Sequence, residues 1–341
     1  MGLTIQQILR LRHGESIIKG GKQVNELDMQ TSLDIQRQKL RRKKRFDRNF
    51  FVFCFLAFPV LNFFVFYLYV NIDSFLMAFQ RPVYGQGYGA TEWGIENFTQ
   101  IFNLFKSANG KTLLIASRNT LLFYAAGMII GMPISILMSY FIYKKIALYK
   151  TFRLVTYLPN IITTSALVIL FKNAVGPGGP VDAVYTRFGW EYIDPITQTG
   201  PAIWTILFYT LSFGFGMNMI VLNGAMLGIN REMLEAAELD GCSWFQELIY
   251  IIIPSIWPTV ATIVMLATAG FLGSTGPILA FTKGTNETTT LSFYIYQLVS
   301  GEGTGKTDLY LASALGIVMT AVSFPIAMMV KRVLYGKEET A

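Results

Sequence analysis

The sequence predicts an all-α membrane protein of six spanning helices, on three observations. Of its 341 residues, 52% are hydrophobic and only 14% are charged, well under the roughly 25% charged of an average soluble domain. Six apolar runs of 18–23 residues, at 51–70, 120–142, 154–171, 202–222, 259–281 and 311–330, contain no Asp, Glu, Lys, Arg or His. The polar stretches between them divide Lys and Arg unequally, 20 on the side shared by the two termini against 8 on the other. Runs of this length cross a hydrocarbon core of roughly 30 Å at about 1.5 Å per residue. Backbone groups that meet no water must pair within their own segment, so each run is expected to be helical. The basic excess puts both termini in the cytoplasm. The same six runs exclude a soluble or nucleic-acid-binding protein.

Residues 1–49 form a basic segment with 12 Lys and Arg against 5 Asp and Glu, ending in Arg41-Arg42-Lys43-Lys44-Arg45. That cluster reads as a topology anchor. Leu3, Ile5, Ile8 and Leu9, with Arg10, Arg12 and Lys19, fit either an arm on the anionic inner leaflet or a solvated tail. No early apolar stretch with a small-residue cleavage site precedes 51–70, so that run is read as a retained first span. Residues 50–335 then form one six-helix domain and 336–341 a short cytoplasmic tail. Cys54 and Cys242 cannot make a disulfide framework, and a lone His13 cannot make a histidine metal site.

With no ionisable group in any run, the chain lacks the coupling charge that ion-driven transporters, pumps and voltage sensors need at membrane depth. Nor does it hold paired carboxylates, a Cys/His pair or HExxH for hydrolysis, so it is not read as an enzyme. Two readings fit these absences: a permease driven by another subunit and carrying a neutral solute, or a structural subunit that moves nothing. Gly301-Glu302-Gly303-Thr304-Gly305-Lys306-Thr307 imitates a phosphate-binding loop but is one residue short between its first Gly and the Gly-Lys-Thr. It is read as an outer turn.

The cytoplasmic loop 223–258 breaks the charge pattern, with Arg231 alone against Glu232, Glu235, Glu238, Asp240 and Glu247. Helix formers fill 231–239, Asn230 suits an N-cap and Gly241 a stop. Leu234, Ala237 and Glu238 share one face, the small Ala236 and Ala237 permit close approach, and Glu235 offers an acceptor.

Glu235-Ala236-Ala237, Asp240-Gly241, Ile251, Pro254 and Pro258 resemble the EAA signature of binding-protein-dependent ABC importer permeases. Cys242, Leu248 and Ile253 are mild departures. Over about 51–335, further stretches resemble the maltose-type sugar permeases: Trp93-Gly94-Ile95-Glu96-Asn97-Phe98, Asn119-Thr120-Leu121, Leu158-Pro159, Thr282 to Leu291 and Tyr294-Ile295-Tyr296. The resemblance implies a type I ABC importer permease fold in the bacterial plasma (inner) membrane. Its implied partners are a second ABC permease subunit, an ATPase subunit dimer docked on the EAA loop, an extracytoplasmic solute-binding (lipo)protein and membrane lipid. No cofactor is expected on this chain; ATP and Mg belong to the partner ATPase. The implied ATPase-coupling residues are Glu235, Ala236, Ala237, Asp240 and Gly241.

The implied substrate path runs along Thr210, Phe213, Gly214 and Met217 before the loop and Ala267, Gly270, Phe271 and Ser274 after it. Each set is spaced i, i+3, i+4, i+7, one helical face that offers rings, hydroxyls and room. Ordinary membrane-helix packing also uses such residues. Asn218 and Asn223 either line the path or cap a helix end. The implied solute is a carbohydrate, an oligosaccharide in the first instance. A glycerol phosphate ester or a peptide on the same machinery, and a non-transporting scaffold, are the alternatives.

Overall fold

The computed structural model describes residues 18–19, 22–23, 26–82, 91–106, 110–302, 305 and 307–336. Leu3 to His13, the tail beyond Gly336 and part of the Gly301–Thr307 stretch lie outside them, as do the side chains of Lys19, Arg41 and Arg45. The chain divides into two units, Met1–Asp73 and Ser74–Ala341.

In the first unit, two short antiparallel strands (Ile18–Lys19 and Lys22–Gln23) precede α1 (Glu26–Asn62). The helix therefore starts well before the apolar run and carries the basic cluster on its polar half. Pro59 removes one backbone donor, and a π-helical stretch, Phe63–Tyr69, follows it before α2 (Val70–Met77). Arg42–Met77 is long and apolar enough to cross a membrane, yet none of its apolar stretch is buried. The rings from Phe51 to Tyr69 are exposed, an apolar surface suited to contact with lipid or another chain.

The second unit opens with an antiparallel hairpin, Gln80–Pro82 on Thr91–Trp93, that sets Arg81 opposite Glu92. Helix α3 (Glu96–Lys106) follows, then α4 (Gly110–Ala126), a π segment (Gly127–Gly131) and α5 (Met132–Tyr143) as one span. The wide turn falls where Pro133 withholds its N–H.

The third run is not a straight span. Helix α6 (Tyr149–Ile161) stops, Ile162 and Thr163 are extended, and the segment Thr164–Arg187, which begins with α7 (Thr164–Val175), leaves at 109°. Pro159 and the β-branched run Ile161-Ile162-Thr163-Thr164 weaken the helix there, a feature invisible to hydropathy. Helix α8 (Pro180–Arg187) follows, its first turn braced by a bond from the Gly178 N–H to Asp182.

Helices α9 (Pro201–Phe213) and α10 (Gly216–Leu227) form the next span, broken at Gly214–Phe215. Helix α11 (Arg231–Leu239) is the loop helix. Helix α12 (Trp244–Glu247), a π segment (Leu248–Ile252), α13 (Ile253–Gly270) and a 3₁₀ turn (Phe271–Gly273) make up the fifth span. That span, Trp244–Gly273, begins 15 residues earlier than the apolar run 259–281 and ends sooner. Its start is set by a cap at Ser243 and its end by Gly270 and Gly273. Residues Ile278–Phe281 are the separate short helix α14. Helix α15 (Leu291–Ser300) and α16 (Leu309–Tyr335), capped by the Asp308 carboxylate on the Leu311 N–H at 2.9 Å, complete the chain.

Among the described residues, five helices are thus long and apolar enough to cross a membrane, or six if the bent third pair counts as one. Among the described residues the core has three centres. Tyr140, Leu222, Met226, Ile252 and Ile256 pack beside the loop helix. Leu113, Leu298, Leu311 and Leu315 pack at the opposite end of the unit. Between them an aromatic cluster joins Phe171, Tyr209, Phe213 and Phe281, with ring centroids 5.0–6.3 Å apart. Polar bonds pin helices across the apolar interior: Ser139 Oγ donates to the Met219 carbonyl at 3.1 Å, and the Asn223 carboxamide donates to the Ser139 carbonyl at 3.3 Å. Asn223 therefore ties α10 to α5 rather than capping an end.

Candidate functional site

The loop helix is capped at both ends as its residues predict. Asn230 Oδ1 accepts from the Glu232 N–H at 3.0 Å. At the far end the N–H groups of Asp240, Gly241 and Cys242 return to the carbonyls of Ala236, Glu238 and Ala237 at 3.0–3.1 Å. Gly241 makes this turn at φ +77°, a left-handed conformation that penalises a Cβ, although the space around it is open. Leu234 packs on the core beside the helix and Ala237 is half-buried. Glu235, Ala236, Glu238, Asp240 and Gly241 are exposed, and Leu239 is 90% exposed. Glu238 thus does not share the covered face with Leu234 and Ala237. The helix is held by one edge and presents an acidic, small-residue edge tipped by an apolar side chain.

Two further devices hold this segment. Ser243 and Gln246 form a reciprocal cap: the Ser243 N–H donates to Gln246 Oε1 at 2.9 Å, and the Gln246 N–H donates to Ser243 Oγ at 3.4 Å. One turn on, Lys144 Nζ lies 2.8 Å from Glu247 Oε1, with side-chain exposures of 33% and 9%. Tyr140 adds a hydroxyl bond to the Trp244 carbonyl at 3.3 Å. The end of α5 is therefore clamped to the start of the fifth span. The Ser-x-x-Gln spacing is readable as a capping box; the ion pair joins residues too far apart in sequence to be paired by spacing.

The second site is a cavity of about 440 Å³ between α4, the α9–α10 break and the end of α13. Five of the eight path residues line it: Thr210, Ala267, Gly270, Phe271 and Ser274. The other three do not. Phe213 turns into the aromatic cluster. Gly214 sits at the bend, where a Cβ would collide with the Thr210 carbonyl. Met217 is 62% exposed and lines a separate groove beside Val221 and Leu266. The i, i+3, i+4, i+7 spacing requires one unbroken helix, and α9 and α10 are interrupted at Gly214–Phe215. Asn218, beyond that break, does reach the cavity. Missed from sequence were the lining residues Thr120, Phe123, Tyr124, Gly127 and Met128 on the second span, together with Gly276 and Thr290. Among the described residues, no ionisable side chain other than Tyr124 lines it.

Two of the quoted motifs meet at the cavity's end. The buried Asn119 carboxamide donates to the carbonyls of Glu287 and Thr289 at 2.7 and 2.9 Å. Thr120 Oγ1 accepts from the Leu291 N–H at 2.9 Å. Thr282 and Thr288 bond to each other at 2.6 Å, and Lys111 pairs with Glu287 at 2.9 Å. The Thr282–Leu291 stretch is thereby laced to the start of the second span.

The second unit is a multi-pass helical domain with a capped, exposed loop helix between its fourth and fifth spans. Residues 112–335 match the family of binding-protein-dependent transport system inner membrane components, and the chain belongs to that family. Among its relatives, the arabinooligosaccharides transport system permease protein AraP of Bacillus subtilis is 23% identical over 282 residues, covering 81% of this chain and 86% of the relative. The lactose transport system permease protein LacF of Rhizobium radiobacter is 26% identical over 264 residues, covering 75% of this chain and 85% of the relative. A chain of a bacterial alginate ABC transporter, solved in complex with an alginate pentasaccharide-bound periplasmic protein, superimposes with a TM-score of 0.70 at 24% identity. That alignment covers 84% of this chain and 94% of the other. The fold is thus that of an ABC permease.

Proposed function

We infer that this chain is the membrane-spanning subunit of an ATP-driven importer that passes an oligosaccharide from an extracytoplasmic binding protein into the cytoplasm. The observation that carries the reading is the cavity, where Phe271 and Tyr124 supply rings and Thr120, Thr210, Ser274 and Thr290 supply hydroxyls. Rings stack on sugar C–H faces and hydroxyls exchange hydrogen bonds with sugar hydroxyls. Its walls come from the spans just before and just after the loop helix, so movement of that helix reaches both. A second, similar permease subunit completes the path, and an ATPase dimer, holding ATP and Mg, docks on Glu235, Ala236, Ala237, Asp240 and Gly241. Both termini lie in the cytoplasm of a bacterial plasma membrane, a placement supported by the Lys and Arg excess.

The test is affinity purification of the chain from its native membrane, with mass spectrometry of its companions. The reading expects a Walker-motif ATPase, a second permease bearing the same loop signature and a binding lipoprotein. Recovery of the chain alone, or only with itself, would sink it and favour a scaffold.

A further inference from the structure

We propose that the wall of the cavity formed by Thr120, Tyr124 and Thr210 is a hydrogen-bond acceptor surface that admits neutral saccharides and turns away anionic ones, with Tyr124 the specificity-determining residue. The proposal rests on the reading of the cavity as the solute path and deepens it.

The polarity follows from where each hydroxyl proton already goes. Thr120 Oγ1 donates to the Ala116 carbonyl at 2.8 Å, and Thr210 Oγ1 donates to the Ile206 carbonyl at 2.9 Å. Tyr124 Oη lies 2.7 Å from Thr268 Oγ1, and either atom could donate on distance alone. Thr268 resolves the direction: its own proton is given to the Val264 carbonyl at 2.7 Å. A hydroxyl has one proton, so Thr268 accepts and Tyr124 donates. The relay runs Tyr124 O–H to Thr268 O–H to Val264 C=O. Thr120 Oγ1 also accepts from the Leu291 N–H at 2.9 Å and keeps one lone pair, so the acceptor capacity of the wall is fullest at Tyr124 and Thr210.

A neutral sugar presents hydroxyl donors that match such a wall. A carboxylate or phosphate has only acceptors, and meeting this wall would leave both sides unpaired at the cost of desolvation. Among the described residues, no Lys, Arg or His lines the cavity to compensate. The remaining donors, Asn218, Ser274 and Thr290, lie on other elements and let the site orient a sugar that both gives and receives hydrogen bonds. Thr268 is fully buried and is not a lining residue, so replacing it changes the proton's direction at Tyr124 without touching the solute.

The test is saturation-transfer NMR on the intact transporter complex in nanodiscs, with maltotriose and lactose as neutral probes and digalacturonate as the acidic one. The wild type is expected to bind a neutral probe and to bind digalacturonate at least tenfold more weakly. Tyr124→Phe removes the acceptor and should weaken neutral binding about five- to tenfold. Thr268→Val frees the Tyr124 proton to donate and should narrow the neutral-to-acidic ratio several-fold, with neutral binding kept. A merely structural role for Thr268 would lower both probes together, and that result would overturn the proposal. So would digalacturonate binding on a par with the neutral sugars in the wild type. If no saccharide of either kind binds, or binding ignores Phe271→Ala, the cavity is not the solute path and the parent reading fails with it.

Discussion

Consider removal of the Lys144 ammonium by Lys144→Met. In the wild type the two charges are 2.8 Å apart, and the Glu247 side chain is only 9% exposed while Lys144 is 33% exposed. At an effective dielectric near 20 that separation corresponds to about 6 kcal/mol of attraction. Desolvation of Glu247 and the ordering of a long lysine offset most of it. A pair of this intermediate burial should contribute about 1–3 kcal/mol net, between the values for exposed and buried pairs. Lys144→Met leaves a nearly buried carboxylate without its cation and should cost the upper end of that range. Glu247→Gln alone leaves a lysine that can turn to water and should cost less. The double variant should recover part of the loss, giving a coupling of about 1–3 kcal/mol in a double-mutant cycle. The assay is the thermal inactivation rate of the purified complex at several temperatures, since membrane assemblies of this kind are followed by rate rather than by equilibrium. Single and double losses that simply add, with coupling under about 0.5 kcal/mol, would refute the clamp.

Gly241→Ala should strain the left-handed turn by about 1–2 kcal/mol while leaving insertion intact, and Gly241→Asn should cost less; solute uptake and ATPase co-purification measure it, and full activity of Gly241→Val would show the turn is dispensable. Asn119→Leu strips hydrogen bonds from the Glu287 and Thr289 carbonyls, worth about 2–3 kcal/mol together. Faster amide exchange over 285–291 is the expected signature, and unchanged exchange would argue against the lacing. Phe271→Ala should weaken transported-sugar affinity severalfold with little change in complex assembly; equal loss of assembly would make it a packing residue. Ser243→Ala should loosen the start of the fifth span by about 1 kcal/mol, read as exchange at Gln246, and no change there would rule out the cap.

The parts of this fold legible in the sequence are those that depend on local rules. Apolar runs located the spans, and Asn230 and Gly241 bracketed the loop helix because capping and left-handed turns are properties of single residues. The bent third run was not legible: Ile161 and Ile162 raise hydropathy while, with Thr163, lowering helix stability. The fifth span began early because Ser243 and Gln246 start a helix in residues that hydropathy reads as loop. At the cavity, Ala267, Gly270, Phe271 and Ser274 were found together since they follow one another along the last turns of the fifth span and just past its end. Thr120 and Tyr124 were missed because periodicity within one helix does not say which other helix faces it. Phe213 and Met217 were misplaced by the bend between them.

That bend divides the cavity's own wall. Thr210 ends up on one rigid rod and Asn218 on another, with only Gly214 and Phe215 between them. The lower rod is bonded to α5 through Ser139 and Asn223, and leads directly into the loop helix. Thr210 and Asn218 are therefore joined across the cavity wall through two non-helical residues, Gly214 and Phe215, while the helices on either side keep their own hydrogen bonds.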